Sequence, residues 1–172
     1  MLTNISIHED DYCQVQLLPF ENIEFILNEA EEIIGFKKEN FNINGSDKIF
    51  VRKSPNFPLI SKNIKFSDLQ KVVEQNNFEK IINVDIGYGN SFNKSKTIGY
   101  GTDNCAILID CDNEFVKNIW FNYYWNFTEI EKEKLSIFLI EINQLWNQIL
   151  IDWNQSIIVK LTKNNIYKYL SN

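Results

Sequence analysis

A chain of 172 residues that is 44% hydrophobic, with thirteen Phe, seven Tyr and four Trp, has the length for one core and enough apolar surface to fold as a single domain over 1–172. Its formal charge of −6, with Arg52 as the one arginine, argues against a nucleic-acid partner, because such binding draws on cations that neutralise phosphates. No apolar run reaches the roughly 18 residues of a membrane span, and the acidic, alternating start MLTNISIHEDDY is unlike a signal peptide, so a cytoplasmic protein is expected.

In chain order, Leu2 to Ile7 and Tyr12 to Leu18 read as two strands expected to form a hairpin across the acidic link HEDD. Ile23, Ile26, Leu27, Ala30, Ile33 and Ile34 then keep helical spacing, with Gly35 as the expected stop and Glu24, Glu29, Glu31 and Glu32 on the outer face. KIFVRK suggests a short strand, and the two prolines of SPNFPLIS forbid a central strand after it. Ser67 and Asp68 can start a helix with Leu69, Val72 and Val73 facing inward, followed by a strand from Lys80 to Ile86. The segment GYGNSFNKSKTIGYG has glycines, but neither GxxxxGK[ST] nor GxGxxG opening into a helix. It is expected to be a hairpin with glycine-permitted bends and not a phosphate cradle. CAILIDCD and EFVKNIWF follow as a strand pair turning at Asp112-Asn113, both of which tolerate left-handed backbone. Thr128-Glu129-Ile130-Glu131 has the form of a capping box, and Leu135, Phe138, Leu139, Ile142, Leu145, Trp146 and Ile149 extend the principal helix behind it. Strands over Leu150 to Trp153 and Ser156 to Leu161 come next, and Asn164 can cap a short last helix ending near Leu170. These elements predict an α+β fold, a mostly antiparallel sheet covered by one long and two or three shorter helices.

Chemistry is sparse in this pattern. Cys13, Cys105 and Cys111 are odd in number and lack a Cys-x-x-Cys pair, so buried free thiols are expected, with Cys105 and Cys111 on the strand face of Ile107 and Ile109. His8 is the one imidazole and has no nucleophile or ligand motif beside it, which disfavours triads and histidine metal sites. Neither a metal nor a cofactor is expected. AILID followed by Cys111-Asp112 resembles the opening of haloacid-dehalogenase-type phosphatases, where the first Asp attacks phosphorus, but Asp112-Asn113 leads directly into another alternating strand. An EF-hand counted from Asp110 fails as well, since Phe115 and Phe121 fall where Gly and Glu are required. Aromatics at strand ends serve either recognition or the core, and core packing is the preferred reading: Trp153 lies beside Asn154 and Gln155, and in the run Trp120 to Trp125 alternating members face the core, leaving Tyr123 and Trp125 or their neighbours exposed.

Taken with the long helix and LIDWNQSIIVKL, the sequence CAILIDCD and then KNIWFNYYW makes residues 96 to 170 resemble small immunity proteins of bacterial polymorphic-toxin and contact-dependent growth inhibition systems. That resemblance implies a cytoplasmic, non-catalytic inhibitor that binds one cognate protein toxin, commonly a nuclease. An acidic surface would steer a basic partner towards it. On side-chain chemistry at strand ends, Asp110, Asp112, Glu114, Tyr123, Asp152 and Trp153 are the candidate partner-binding residues. The alternatives are a carboxylate-dependent hydrolase or phosphotransferase centred on Asp110 and Asp112, and a sugar or small-ligand module around Trp153 and Gln155.

Overall fold

The computed structural model describes residues 4–40, 48–89, 91–102, 104–123 and 127–171. Their apolar runs form β1 (Asn4–His8), β2 (Val15–Pro19), α1 (Ile23–Asn40), α2 (Phe66–Gln75), β3 (Asn83–Tyr88), β4 (Ser91–Lys94), β5 (Ile98–Gly101), β6 (Cys105–Asp112), β7 (Phe115–Tyr123), α3 (Glu129–Trp146), β8 (Gln148–Asp152), β9 (Ile157–Lys160) and α4 (Lys163–Leu170). Six strands in the order β5-β6-β7-β2-β8-β9 make an antiparallel sheet, and β1-β3-β4 make a smaller one whose β1–β3 pair is parallel. The fold is α+β, as the pattern of elements predicts. Two helices are long, α1 and α3, with 18 residues each.

Both faces of the large sheet are covered, which makes three layers. On one face Leu17, Ile107, Ile109, Ile119, Phe121 and Leu150 pack against α2, α3 and α4. On the other, Ala106, Leu108 and Trp120 meet Ile5, Ile7 and Val84 of the small sheet. Beside them Ile149, Ile151 and Trp153 pack on Ile26 and Ile33 of α1. Strand alternation assigns Cys105, Ile107 and Ile109 to the helical face, with Cys111 packed at its border, as expected.

Several expectations are corrected. β1 and β2 do not pair with each other: β1 lies beside β3, and β2 sits between β7 and β8. The link between them is a 3-10 turn at Glu9–Asp11 followed by Cys13 at φ 53, too long and too bent for a tight hairpin, and it carries the chain from one sheet to the other. Gly35 does not end α1, since Lys37 and Lys38 suit the last turn of the helix dipole and Lys37 Nζ donates to Asn154 O at 2.6 Å. KIFVRK is not a strand. Residues 48–53 lie as a strap against α1, held by Phe50 on Phe36 and by the Lys53 N–H donating to Glu29 Oε1 at 2.8 Å, which also makes Glu29 a buried residue and not an outer one.

At the remaining boundaries the shifts are local. Lys65 and Thr162, not Ser67 and Asn164, precede the first turns of α2 and α4, and Ile149 belongs to β8 because Asn147, at φ 51, ends α3. The capping box holds: the Glu131 N–H donates to Thr128 Oγ1 at 3.2 Å and the Thr128 N–H donates to Glu131 Oε2 at 2.8 Å. The glycine-rich stretch gives the β3–β4 hairpin and then β5 in the other sheet. At Gly87 a Cβ would lie 2.0 Å from Ser91 O, so only glycine fits that pairing. No helix among the described residues is long and apolar enough to cross a membrane.

Candidate functional site

The turn end of the β6–β7 hairpin carries three of the six candidate residues, Asp110, Asp112 and Glu114, and the alternation of β6 separates the roles of the first two. Asp110 pairs with Asn118 on the face shared with Leu108 and Trp120, where the small sheet and the turn after β1 cover the strand. Its carboxylate accepts from Thr97 Oγ1 at 2.7 Å, from Tyr12 Oη at 2.8 Å and from Asn118 Nδ2 at 3.1 Å. Asn118 Nδ2 also donates to Tyr12 Oη at 3.1 Å, and the Tyr12 ring stands edge-on to Trp120 at 5.0 Å. Burial and, next, the hydrogen bond to Asp110 raise the Tyr12 hydroxyl pKa above its ordinary value, so this phenol stays a donor. Asp110 therefore ties the β5 lead-in, β7 and the Glu9–Asp11 turn to one point. A carboxylate with three donors already on it is poorly placed to attack an electrophile.

Asp112 and Glu114 are exposed at the tip. The two-residue loop is Asn113-Glu114, one residue later than the sequence suggests, with Asn113 in the left-handed region at φ 54. The tip is braced from behind: Phe66 N–H donates to Glu114 O at 2.8 Å, Val116 N–H to Ile64 O at 2.9 Å, and Lys65 Nζ lies 3.5 Å from the Glu114 carboxylate. Glu9, Asp10 and Asp11 are likewise exposed. Through Tyr12 they are fixed to Asp110, two residues or about 7 Å along the strand from Asp112.

The other three candidates are not surface groups. Asp152 is 1% exposed, Trp153 4% and Tyr123 8%. The expectation of an exposed Tyr123 is thus corrected; β7 alternation directs it to the helical face beside Phe121 and Phe127. Trp125, its expected companion, falls outside the described residues. Asp152 accepts from Tyr169 Oη at 3.0 Å and from the Gln155 N–H at 3.0 Å, and the Tyr123 and Tyr169 hydroxyls are 3.2 Å apart. Desolvation holds both phenols well above the ordinary tyrosine range. This buried network joins α4, β7 and the β8–β9 turn, and its chemistry is that of a structural clamp. It borders a cavity of about 220 Å³ shared with Asp11, Asn122 and Gln155.

Trp153 points to the α1 face, beneath the strap. The Arg52 guanidinium stacks over its ring at 5.1 Å and donates to Cys13 O at 3.1 Å. Desolvation lowers the Arg52 pKa from its ordinary value. Trp153, Arg52, Lys53, Ser54 and Gln16 line a shallow cavity of about 200 Å³, distinct from the one that Gln155 borders, so the two residues of the expected sugar module do not share a site.

No family model, curated protein or solved structure matches this chain. No cluster of three or more His, Cys, Asp or Glu suited to a metal occurs among the described residues. Burial pushes the Cys13 and Cys105 thiols up to about 12, which opposes a nucleophilic thiolate at neutral pH. Tyr12, Thr97 and Asn118 carry no site motif in the sequence. One signal was available: Asp110 shares the strand face of Ala106 and Leu108, and a carboxylate on a covered face needs donors.

Proposed function

We propose that this protein is an inhibitory binding protein of the immunity type, which neutralises a basic protein toxin in the cytoplasm through an acidic face at the β6–β7 end of the large sheet. The observation that carries this reading is the commitment of Asp110 to Tyr12, Thr97 and Asn118. That knot holds an exposed acidic turn, Glu9 to Asp11, beside a braced hairpin tip bearing Asp112 and Glu114. A pre-organised array of carboxylates on rigid elements raises the encounter rate with a basic partner without ordering cost on binding. The two buried networks around Asp152 and Trp153 support the surface from below and are not themselves contacts.

The test uses the product of the open reading frame adjacent to this gene. Co-expression is expected to relieve its toxicity, and the purified pair is expected to associate at least ~10-fold more slowly when salt is raised from 50 to 300 mM, which shortens the range of exposed charges. Asp112→Lys together with Asp10→Lys is expected to slow association further while leaving the urea midpoint unchanged. Salt-independent association, or relief of toxicity by an acid-to-lysine variant as fast as by the native chain, overturns the acidic-face reading.

A further inference from the structure

The far edge of the large sheet is open, and the ladder fixes which of its backbone groups are unpaired. Phe20 N–H donates to Asn147 O at 3.0 Å at one end of the β2–β8 pair, and Trp153 N–H donates to Gln14 O at 2.8 Å at the other. With Leu18 opposite Ile149 and Gln16 opposite Ile151, residues 149, 151 and 153 direct their N–H and C=O groups to β2, and 150 and 152 direct theirs to β9. Leu150 faces Val159 and Asp152 faces Ile157, so Ile157 and Val159 close the ladder and Ile158 and Lys160 turn their backbone outward. Lys160 O is taken by the Thr162 N–H at 2.7 Å and by Asn165 Nδ2 at 3.2 Å. What is left facing out is the Ile158 N–H and C=O and the Lys160 N–H, the spacing that an added antiparallel strand pairs with.

These groups do not lie on a convex rim. β9 forms the floor of a groove of about 510 Å³ walled by Ile23 and Leu27 of α1 on one side and Lys168 and Tyr169 of α4 on the other. Leu27 is 48% exposed, which leaves an apolar wall half open to solvent. The charged residues that line the groove are both basic, Lys160 and Lys168, and neither has an ion pair among the described residues. Alternation sends the Lys160 side chain to the α1 side with Ile158, while Lys168 stands on α4, which gives one unpaired ammonium at each wall.

We propose that the outer edge of β9 is a strand-addition site for an extended acidic segment of a partner protein, whose backbone pairs with Ile158 and Lys160 while its carboxylates meet Lys160 and Lys168. A second copy of this chain fits less well, since pairing β9 with β9 about a two-fold axis would gather four lysines. The site lies four strand spacings, about 19 Å, from β6, has the opposite charge, and does not depend on the acidic-face reading.

The experiment titrates the full chain with a capped eight-residue peptide alternating Val and Glu, and with its Val and Lys counterpart, and reads amide shifts and hydrogen exchange by NMR. The Val-Glu peptide is expected to shift residues 157–160 and to slow exchange of the Ile158 and Lys160 amides. It should bind about ten-fold more tightly than the Val-Lys peptide, from two exposed ion pairs in one case and two like-charge contacts in the other. Ile158→Pro, which removes an outward N–H that the native ladder does not use, is expected to abolish the response with an unchanged circular dichroism spectrum. Lys160→Glu with Lys168→Glu is expected to reverse the charge preference. Absence of shifts at millimolar peptide, equal affinity for both peptides, or concentration-dependent self-association abolished by Ile158→Pro overturns the proposal, the last by assigning the edge to a second copy.

Discussion

Replacing Asp110 with Ala strips the acceptor from three donors at once, and the cost can be worked out bond by bond. A hydrogen bond to a charged group contributes about 1.5–3 kcal/mol when water cannot replace it. Thr97 is 9% exposed and keeps a loss near the low end of that range, about 1.5 kcal/mol. Tyr12, at 39% exposure, and Asn118 regain water, so about 0.5–1 kcal/mol each is a fair figure. The total is about 3 kcal/mol, and with a urea slope of about 2 kcal/mol per molar the unfolding midpoint should fall by about 1.5 M. Asp110→Asn keeps an acceptor for Thr97 but turns an amide towards the Asn118 amide, so about half that loss is expected. In a cycle with Tyr12→Phe, the coupling with Asp110→Ala should be about 1 kcal/mol. Should Asp110→Ala unfold within about 0.5 kcal/mol of the native chain, or add simply to Tyr12→Phe, the carboxylate is not the knot that fixes the acidic turn.

The thiols give a second prediction. Cys111 is partly exposed while Cys13 and Cys105 are buried, so iodoacetamide at pH 8 followed by mass spectrometry should label Cys111 first and the other two only after unfolding in urea. Stability should also decline in alkali: Cys13 and Cys105 are raised from 9.0 to about 12 by burial, so the folded state retains protons that the unfolded chain releases, and their contribution is complete below pH 9 and lost as pH climbs towards 12. A urea midpoint that is flat between pH 9 and 11 would contradict that burial. At the start of α3, Thr128→Ala removes the cap hydroxyl and should cost about 1 kcal/mol in chemical denaturation, and Thr128→Ser should recover most of it.

What could be read from the sequence follows from how each signal arises. Caps and turns are local, so the Thr128 box, the Asn113 turn and the β3–β4 hairpin were visible in a few residues. Pairing partners are not local. Leu2 to Ile7 and Tyr12 to Leu18 look like a hairpin because they are adjacent and alternate, yet Ile5 and Ile7 belong to a second sheet and their parallel partner β3 begins some 75 residues later. KIFVRK has strand composition, but what decides its course is a buried carboxylate on α1 that takes the Lys53 N–H. Helix periodicity places Glu29 on the outer face, and the same bond holds it inward.

The candidate residues expose a deeper limit. In a sheet with one wet face, alternation tells which side chains see water; here both faces of the large sheet are covered, and β6 and β8 become continuous apolar runs in which the two faces look alike. A carboxylate closing such a run, as Asp110 and Asp152 do, has the same local signature whether it emerges at a surface or is bonded inside. Only the cross-strand partners distinguish them, Asn118 and Thr97 for the first, Tyr169 and the Gln155 amide for the second. Burial of such a group without donors would cost several kcal/mol, so each Asp in a doubly covered sheet implies a set of donors converging from other elements. Asp110 recruits its donors from the turn after β1, the lead-in to β5 and β7, and in doing so it sets the position of the acidic residues just before Tyr12. The same residue type at the end of β8 locks α4 over the β8–β9 turn, which fixes Tyr169 and Lys168 at the wall of the groove. The half-buried Asp110 and the buried Asp152 thus each position a neighbouring surface, and substituting either should alter that surface as well as the fold's stability.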